Sequence, residues 1–136
     1  MTKVLIAFFS IGSLKIGNTE VAAEMLNEIT GGDLYKINTA NKYPQNMGEY
    51  DTIILGYPNW WGTMPMAVFT FLESYDFSGK TIIPFCTHEG SGLGDSEKDI
   101  AKLCPHASIL KGLAIHDANV TNAKKDITQW LNEVAK

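Results

Sequence analysis

The sequence predicts a single α/β domain built on an open, doubly wound parallel sheet with helices on both faces. Short continuous apolar runs, typical of strands buried on both faces, alternate along the chain with segments whose apolar residues recur at helical spacing. Loops rich in Gly, Ser and Thr follow these runs, and the sequence has no internal repeat. A chain of 136 residues is long enough to bury a core without disulfides or metals, so we expect one domain over residues 1–136.

Composition argues against several classes of partner. The net charge of −4 and the absence of a basic stripe disfavour nucleic acid. Cys86 and Cys104 lack metal-ligand spacing, so we expect reduced thiols in a cytoplasmic protein. The first apolar run is far shorter than the roughly 20 residues that a membrane span requires. No small-residue cleavage site follows that run, and we expect no membrane association.

Five strands are predicted from the apolar runs. The first, third and fourth runs are continuous, although Pro84 weakens the fourth. The second alternates apolar and polar residues, as an edge strand does. The fifth consists of two short apolar segments with Gly112 between them, where we expect a bend or a bulge. The predicted strands cover residues 4–9, 33–37, 51–56, 81–86 and 108–115.

Four helices are predicted between and after these strands. The first has Thr19 as its N-cap and ends at Gly31, and the second begins at Pro65. The third begins near Ser96 and is stopped by Pro105. The expected inner residues are Val21, Ala22, Met25, Leu26 and Ile29 in the first helix, Met66, Phe69, Leu72 and Tyr75 in the second, Ile100, Ala101, Leu103 and Cys104 in the third, and Ile127, Trp130, Leu131 and Val134 in the last.

The connection between the second and third strands has no helical period. Residues 39–49 are polar and irregular, although a parallel crossover usually contains a helix. Fully extended, such a segment is long enough to return along a strand and to cross two strand spacings. We therefore expect the helix between strands two and three to be shortened or absent.

Three loops follow the carboxyl ends of strands one, three and four, where open α/β sheets bind ligands. Residues 10–19 offer hydroxyls and backbone N–H groups at a helix start, which suits phosphate. Residues 58–63 contain adjacent tryptophans, of which at least one is expected to face outward as a stacking platform. Residues 87–94 are rich in glycine, so their backbone can approach a ligand closely. Phosphate, flat ring and polar edge are the three parts of flavin mononucleotide (FMN).

Taken in order, these loops resemble those of the flavodoxin family, in its branch of short bacterial proteins with Trp-Trp-Gly-Thr and Thr-His-x-Gly-Ser-Gly loops. Ser10 and Gly17-Asn18-Thr19 match the phosphate loop, residues 58–63 the first ring-flanking loop and residues 85–92 the second. The match covers nearly the whole chain. The resemblance implies a three-layer flavodoxin-like fold, a five-stranded sheet of order 2-1-3-4-5, and FMN as the cofactor.

Two departures from the family pattern stand out. Extra residues separate Ser10 from Gly17, and Ile16 stands where a hydroxyl is expected, so whether Ser13 supplies the missing donor is left open. The second departure is the short connection between strands two and three. It leaves either an exposed sheet face near the edge or a surface for self-association as a weak homodimer.

The resemblance assigns cofactor-binding residues, and no catalytic residue or metal ligand. Each assignment has an alternative. Asn18 or Thr19 caps the helix, both tryptophans are core or interface residues, His88 is a surface residue, and Glu89 is a solvated loop charge. If Glu89 lies near the flavin, its carboxylate repels the anionic reduced ring and lowers the reduction potential of the flavin. The assigned residues are Ser10, Ser13, Ile16, Gly17, Asn18 and Thr19 for the phosphate, Pro58, Asn59, Trp60, Trp61 and Gly62 for the ring, and Thr87, His88, Glu89, Gly90, Ser91 and Gly92 for its polar edge.

Three functions are left open by the sequence. The leading one is an FMN-binding electron carrier that meets its redox protein partners transiently. The second is an FMN-dependent reductase that transfers electrons from NAD(P)H to quinone-like acceptors. The third is a flavin-free interaction module that uses the aromatic loop as a protein contact. A phosphorylated receiver domain and a Rossmann dinucleotide domain are excluded, since the acidic residues and the Gly-x-Gly-x-x-Gly motif that they need are missing.

Overall fold

The computed structural model describes most of the chain, namely residues 3–10, 17–37, 47–60 and 62–134. The predicted site residues Ser13, Ile16 and Trp61 therefore lie outside the described ranges. The predicted class is confirmed, because a parallel sheet lies between two layers of helices. The strands are β1 (Val4–Phe8), β2 (Asp33–Lys36), β3 (Thr52–Pro58), β4 (Thr81–His88), β5 (Ser108–Ile109) and β6 (Leu113–His116).

The strand order is β2-β1-β3-β4-β5, as predicted, and every pairing is parallel. Leu5 of β1, for example, faces Asp33 of β2 on one side and Ile53 of β3 on the other. Because all strands run the same way, their carboxyl ends meet at one edge of the sheet. The order reverses between β1 and β3, so the crevice above these strands is the switch point at which such sheets bind ligands.

β5 and β6 together form the predicted bent fifth strand. Both pair with β4, but the register shifts by one residue between them, which is the bulge expected near Gly112. The bulge lies beside Pro84, whose nitrogen has no hydrogen to donate to a neighbouring strand. A Cβ atom on Gly112 would lie 3.0 Å from the Pro84 carbonyl oxygen. The break in pairing therefore accommodates the proline within β4.

Four α-helices of the described ranges cover the sheet. The first begins at Asn18 with Gly17 in the N-cap position, so the prediction of Thr19 as N-cap is wrong. Gly31 ends this helix in the left-handed conformation, with φ of 72°, as predicted. None of the helices in the described ranges is long and apolar enough to cross a membrane. They are α1 (Asn18–Thr30), α2 (Met66–Glu73), α3 (Ser96–Leu103) and α4 (Lys124–Val134).

The inner face of α2 agrees with the predicted stripe only in part. Leu72 is buried as predicted, and Phe69 and Tyr75 pack against the core. Met66 is 75% exposed instead, and Val68 and Phe71 are buried without having been predicted. This helix is short and apolar on most sides, so its residue pattern does not determine which side faces the sheet.

Two apolar clusters fill the spaces on either side of the sheet. Successive strand residues point to opposite faces, so Ile82 joins one cluster and Ile83 the other. The first cluster packs α2 and α3 against the sheet, and the second packs α1 and α4. The start of α1 is thereby fixed beside the carboxyl ends of the central strands.

The described part of the connection between β2 and β3 contains little helix. The described part of it contains one 3-10 helix, Met47–Glu49. Residues 38–46 lie outside the description. Self-association at this side of the sheet stays a prediction.

Candidate functional site

The carboxyl ends of the central strands and the start of α1 enclose a cleft of about 190 Å³. All three predicted loops contribute to it, and so does one residue after β6. The first loop supplies Ser10, Asn18 and Thr19, the second Pro58 and Trp60, the third Thr87, and the segment after β6 Asp117.

The end of the cleft at α1 is suited to an anion. Gly17 has extended backbone angles, and its carbonyl accepts the first helical hydrogen bond, from the Val21 N–H, at 3.0 Å. The N–H groups of the first helical turn have no acceptor within the helix itself. Because these groups carry the positive end of the helix dipole, a negatively charged group is stabilised there.

Two buried hydroxyls form the floor of the same end. The Oγ1 atoms of Thr19 and Thr87 lie 2.8 Å apart, and each residue is only 2% exposed. Thr87 reaches Thr19 because strand alternation turns it to the α1 face, the face of Phe85 two residues earlier. This contact connects the start of α1 to β4.

Trp60 is held at the cleft by a tight turn. Trp60 and Thr63 exchange backbone hydrogen bonds of 2.9 and 3.1 Å, and Gly62 within the turn has a positive φ of 85°. The indole of Trp60 is 36% exposed and meets Phe9 edge-on, with ring centroids 5.5 Å apart. The turn therefore presents an aromatic surface to solvent beside the cleft, as the sequence predicts for at least one of the two tryptophans.

Asn59 joins the second loop to the third. Its backbone N–H donates to the Thr87 carbonyl at 2.9 Å, and its side-chain amide donates to the Gly92 carbonyl at 2.6 Å. The Gly62 N–H donates to the side-chain oxygen of Asn59 at 3.0 Å. A single amide side chain thus fixes the relative position of the two loops.

Gly94 allows the same two loops to touch. Its φ is +56°, and a Cβ atom there would lie 2.2 Å from the Gly62 carbonyl oxygen. The Asp95 N–H donates to that oxygen at 2.7 Å. Only a glycine combines this conformation with so close a backbone contact.

A buried hydrogen-bond chain supports these loops from below. The Tyr57 hydroxyl donates to Ser96 Oγ at 2.8 Å, and Ser96 Oγ donates to the Leu93 carbonyl at 2.6 Å. Burial raises the pKa of the Tyr57 phenol, so it keeps its proton and remains a donor. The Thr63 hydroxyl also donates to Asp99 of α3. The start of α3 therefore positions the loops after β3 and β4.

His88 lines a different groove. Its Nδ1 accepts the Gly90 N–H at 2.9 Å, and its ring meets His116 edge-on, with centroids 5.4 Å apart. Both histidines border a groove of about 390 Å³ between β6 and α4.

The structure brings together only part of the predicted residue set. Among the residues assigned to the polar edge, Thr87 alone lines the cleft. Glu89, Gly90 and Ser91 are exposed, and the Gly92 carbonyl receives the Asn59 amide. Direct contacts of these loop residues with a ligand stay predictions.

Asp117 is a cleft residue that the sequence analysis did not single out. It follows the carboxyl end of β6 and starts the 3-10 helix Asp117–Asn122. The rule that ligands bind beyond the carboxyl ends of parallel strands would have drawn attention to it.

The two cysteines are free and buried. Burial raises the pKa of the Cys86 thiol to about 12 and that of the Cys104 thiol to about 11. Cys86 Sγ donates to the Gly92 carbonyl at 3.3 Å. Both thiols stay protonated at neutral pH, and the described ranges contain no cluster of three or more potential metal ligands.

Comparison with known proteins gives the family. A family profile described as Flavodoxin matches residues 41–134. Flavodoxin 2 of Escherichia coli (strain K12) is 28% identical over 120 residues, which cover 85% of this chain and 63% of that protein. The chain therefore spans less than two thirds of the length of the curated relatives that it matches.

Solved structures of other proteins superpose on nearly the whole of this chain. A protein from Bacteroides eggerthii DSM 20697, provisionally called a flavoprotein, is 30% identical, with a TM-score of 0.82 and coverage of 100% of this chain and 99% of that one. The Fusobacterium nucleatum flavodoxin bound to flavin mononucleotide shares the fold, with a TM-score of 0.68 at 17% identity and coverage of 98% and 96%. The chain belongs to the flavodoxin family.

Proposed function

We propose that this chain binds FMN in the cleft and carries electrons between protein redox partners in the cytoplasm. The convergence of three loops on one cleft, with an anion site at one end and Trp60 at the other, carries this proposal. Membership of the flavodoxin family supports it. So does the F. nucleatum flavodoxin, which shares the fold and is bound to FMN. The free, buried thiols fit a reducing compartment.

The residues of the cleft fit the parts of FMN. Hydroxyls and helix N–H groups suit the phosphate, and the exposed indole of Trp60 suits the flat ring. Pockets that enclose a drug-sized ligand measure about 300–1,000 Å³. The cleft is smaller, at about 190 Å³, so it would enclose the phosphate and sugar while the ring extends along Trp60.

Bound FMN would supply the electron-accepting chemistry, and the protein would hold and orient it. The start of α1, with Ser10 and Thr19, would bind the phosphate. The Trp60–Thr63 turn, fixed by Asn59 and Gly94, would support the ring while leaving one side accessible. A carrier needs such access because its partners must approach the flavin.

One observation favours a second candidate, an NAD(P)H-dependent reductase of small apolar acceptors. A groove of about 560 Å³, whose described lining residues carry no charge, adjoins the cleft and shares Trp60 with it. Its volume falls in the range of small-molecule pockets. Its lining consists of Phe9, Trp60, Thr63, Met64, Pro65, Met66, Ala67 and Phe69.

Steady-state assays separate the two candidates. The FMN-loaded protein is mixed with NADH or NADPH and a soluble quinone, and nucleotide oxidation is followed at its absorbance maximum. A carrier should show no turnover above free FMN, while still accepting electrons in two separate one-electron steps in a redox titration. Sustained nucleotide oxidation would contradict the carrier and support the reductase.

Trp60→Ala is expected to weaken FMN binding by roughly 1–3 kcal/mol, or about 5- to 150-fold, if the indole stacks on the ring. Fluorescence titration of the apoprotein with FMN measures the change. Trp60→Phe should retain part of the affinity, and Trp61→Ala should differ from Trp60→Ala. An unchanged affinity in Trp60→Ala would show that this indole is not the platform.

Asp117→Asn is expected to strengthen FMN binding severalfold. The carboxylate lines the cleft that we assign to the phosphate, and like charges in that space repel. The effect should grow above pH about 6, because a phosphate monoester takes its second charge there. Riboflavin, which has no phosphate, should bind both proteins equally. Asp51→Asn is the control, because it removes the same charge just before β3, at the end of the strand away from the cleft. An equal gain in FMN affinity in Asp51→Asn would contradict a local role of Asp117.

A further inference from the structure

The strongest unassigned feature of the molecule is the contact between Thr19 and Thr87. Thr19 belongs to the phosphate loop, whereas Thr87 belongs to β4, which the resemblance assigns to the polar edge of the ring. Both side chains are buried, with 2% of each residue exposed, and both line the cleft. Buried hydroxyl groups are normally hydrogen-bonded, so each proton of this pair needs an acceptor.

Two hydroxyls contain two protons, and their mutual hydrogen bond uses only one. Whichever residue donates, the other hydroxyl keeps a proton that must find an acceptor. In the described part of the chain neither hydroxyl has a further hydrogen-bond partner. The acceptor for the remaining hydroxyl proton must therefore lie in the cleft, which both residues line.

The surroundings indicate what accepts this proton. The start of α1 supplies N–H donors and a positive dipole end to the same part of the cleft. An oxygen of an anion is the acceptor that satisfies both the helix and the hydroxyl. A hydroxyl that also receives a hydrogen bond is a stronger donor, because the two bonds polarise each other.

From this geometry we infer that Thr87 is a specificity-determining residue, which with Thr19 gives the last hydroxyl proton to the phosphate and so selects FMN over riboflavin. The inference rests on the proposed FMN site and adds a strand residue to it. Thr87 acts either by direct donation or by polarising Thr19. In both cases the selectivity depends on the hydroxyl and not on the methyl group of Thr87.

Thr87→Val tests this role, because valine keeps the shape and removes the hydroxyl. Apoprotein is titrated separately with FMN and with riboflavin. We expect the FMN affinity to fall while the riboflavin affinity stays within about twofold of the original protein. The fall should be about 10-fold or more for direct donation by Thr87, as for loss of a hydrogen bond to a charged group, and smaller for polarisation of Thr19. Thr87→Ser should keep the selectivity. Thr81→Val, at the other end of β4, is the matched control and should change neither affinity.

Three outcomes would overturn the inference: equal losses for FMN and riboflavin, no loss for either, or an FMN affinity in Thr87→Ser as low as in Thr87→Val. If the unsubstituted protein binds neither flavin, the proposed function itself fails, which is a distinct result. If Thr87→Val does not fold, NMR of the unsubstituted protein with bound FMN tests the inference instead. A correlation between the FMN phosphorus and a protected hydroxyl proton of Thr19 or Thr87 is expected, and its absence from both would overturn the inference.

Discussion

Replacing Gly94 by alanine is expected to lower the affinity for FMN by at least about 30-fold, or about 2 kcal/mol. The new Cβ atom would lie 2.2 Å from the Gly62 carbonyl oxygen and 2.8 Å from its carbonyl carbon. These are backbone atoms, which no rotamer change can move away. The loops after β3 and β4 would have to separate, and the Asp95 to Gly62 hydrogen bond of 2.7 Å would be lost or stretched.

Gly79→Ala is the matched control for this prediction. Gly79 has a similar positive φ of 78°, but a Cβ atom there would meet nothing within 4 Å. It lies in the turn before β4, at the end of the sheet away from the cleft. Both substitutions introduce the left-handed strain of roughly 1–2 kcal/mol, so both should lower the free energy of unfolding. Only Gly94→Ala should impair FMN binding. Equal FMN affinities of the two variants would contradict a role of the Gly94–Gly62 contact in FMN binding.

Gly56→Ala is expected to lower the free energy of unfolding by about 3 kcal/mol, near the upper end of overpacking effects. Gly56 lies in the middle of the sheet, where the ring of Phe85 on β4 covers it. A Cβ atom on Gly56 would lie 2.0 Å from Phe85 Cζ. Because the interior is close-packed, the ring cannot move without displacing its neighbours. Urea unfolding followed by circular dichroism measures the loss.

A double-variant cycle identifies the ring as the cause. Phe85→Leu alone should destabilise the protein by leaving a cavity. Combined with Gly56→Ala, the smaller side chain should make room for the methyl group, so the two losses should sum to more than the loss in the double variant. Gly48→Ala, where nothing lies within 4 Å of the added atom, should change stability little. Strict additivity in the cycle would show that contact with Phe85 is not the source of the loss.

The sheet could be predicted from the sequence because buried parallel strands leave a direct pattern. Runs such as residues 4–9 and 53–55 are apolar without interruption, and the glycine-rich or hydroxyl-rich loops after them mark the carboxyl edge. Even the bulge at Gly112 was predictable, since a glycine separates two short apolar segments. The inner face of α2 was predictable only in part, because a short helix that is apolar on most sides has no distinct stripe.

The direction of single side chains in the site was the harder part. Thr19 fits an N-cap by sequence, yet Gly17 takes that position and frees the Thr19 hydroxyl to meet Thr87. That contact joins residues 68 positions apart, so only the packed sheet reveals it. Asp117 likewise reaches the cleft only through the course of the last strand.

A titration of the apoprotein with FMN, followed by flavin fluorescence, tests the central claim most directly. We expect the emission to be quenched to an endpoint at one FMN per chain, with riboflavin binding more weakly. The complex should be yellow and should keep its flavin through gel filtration. A protein that stays colourless and leaves FMN emission unchanged would contradict the account and would favour a flavin-free interaction module.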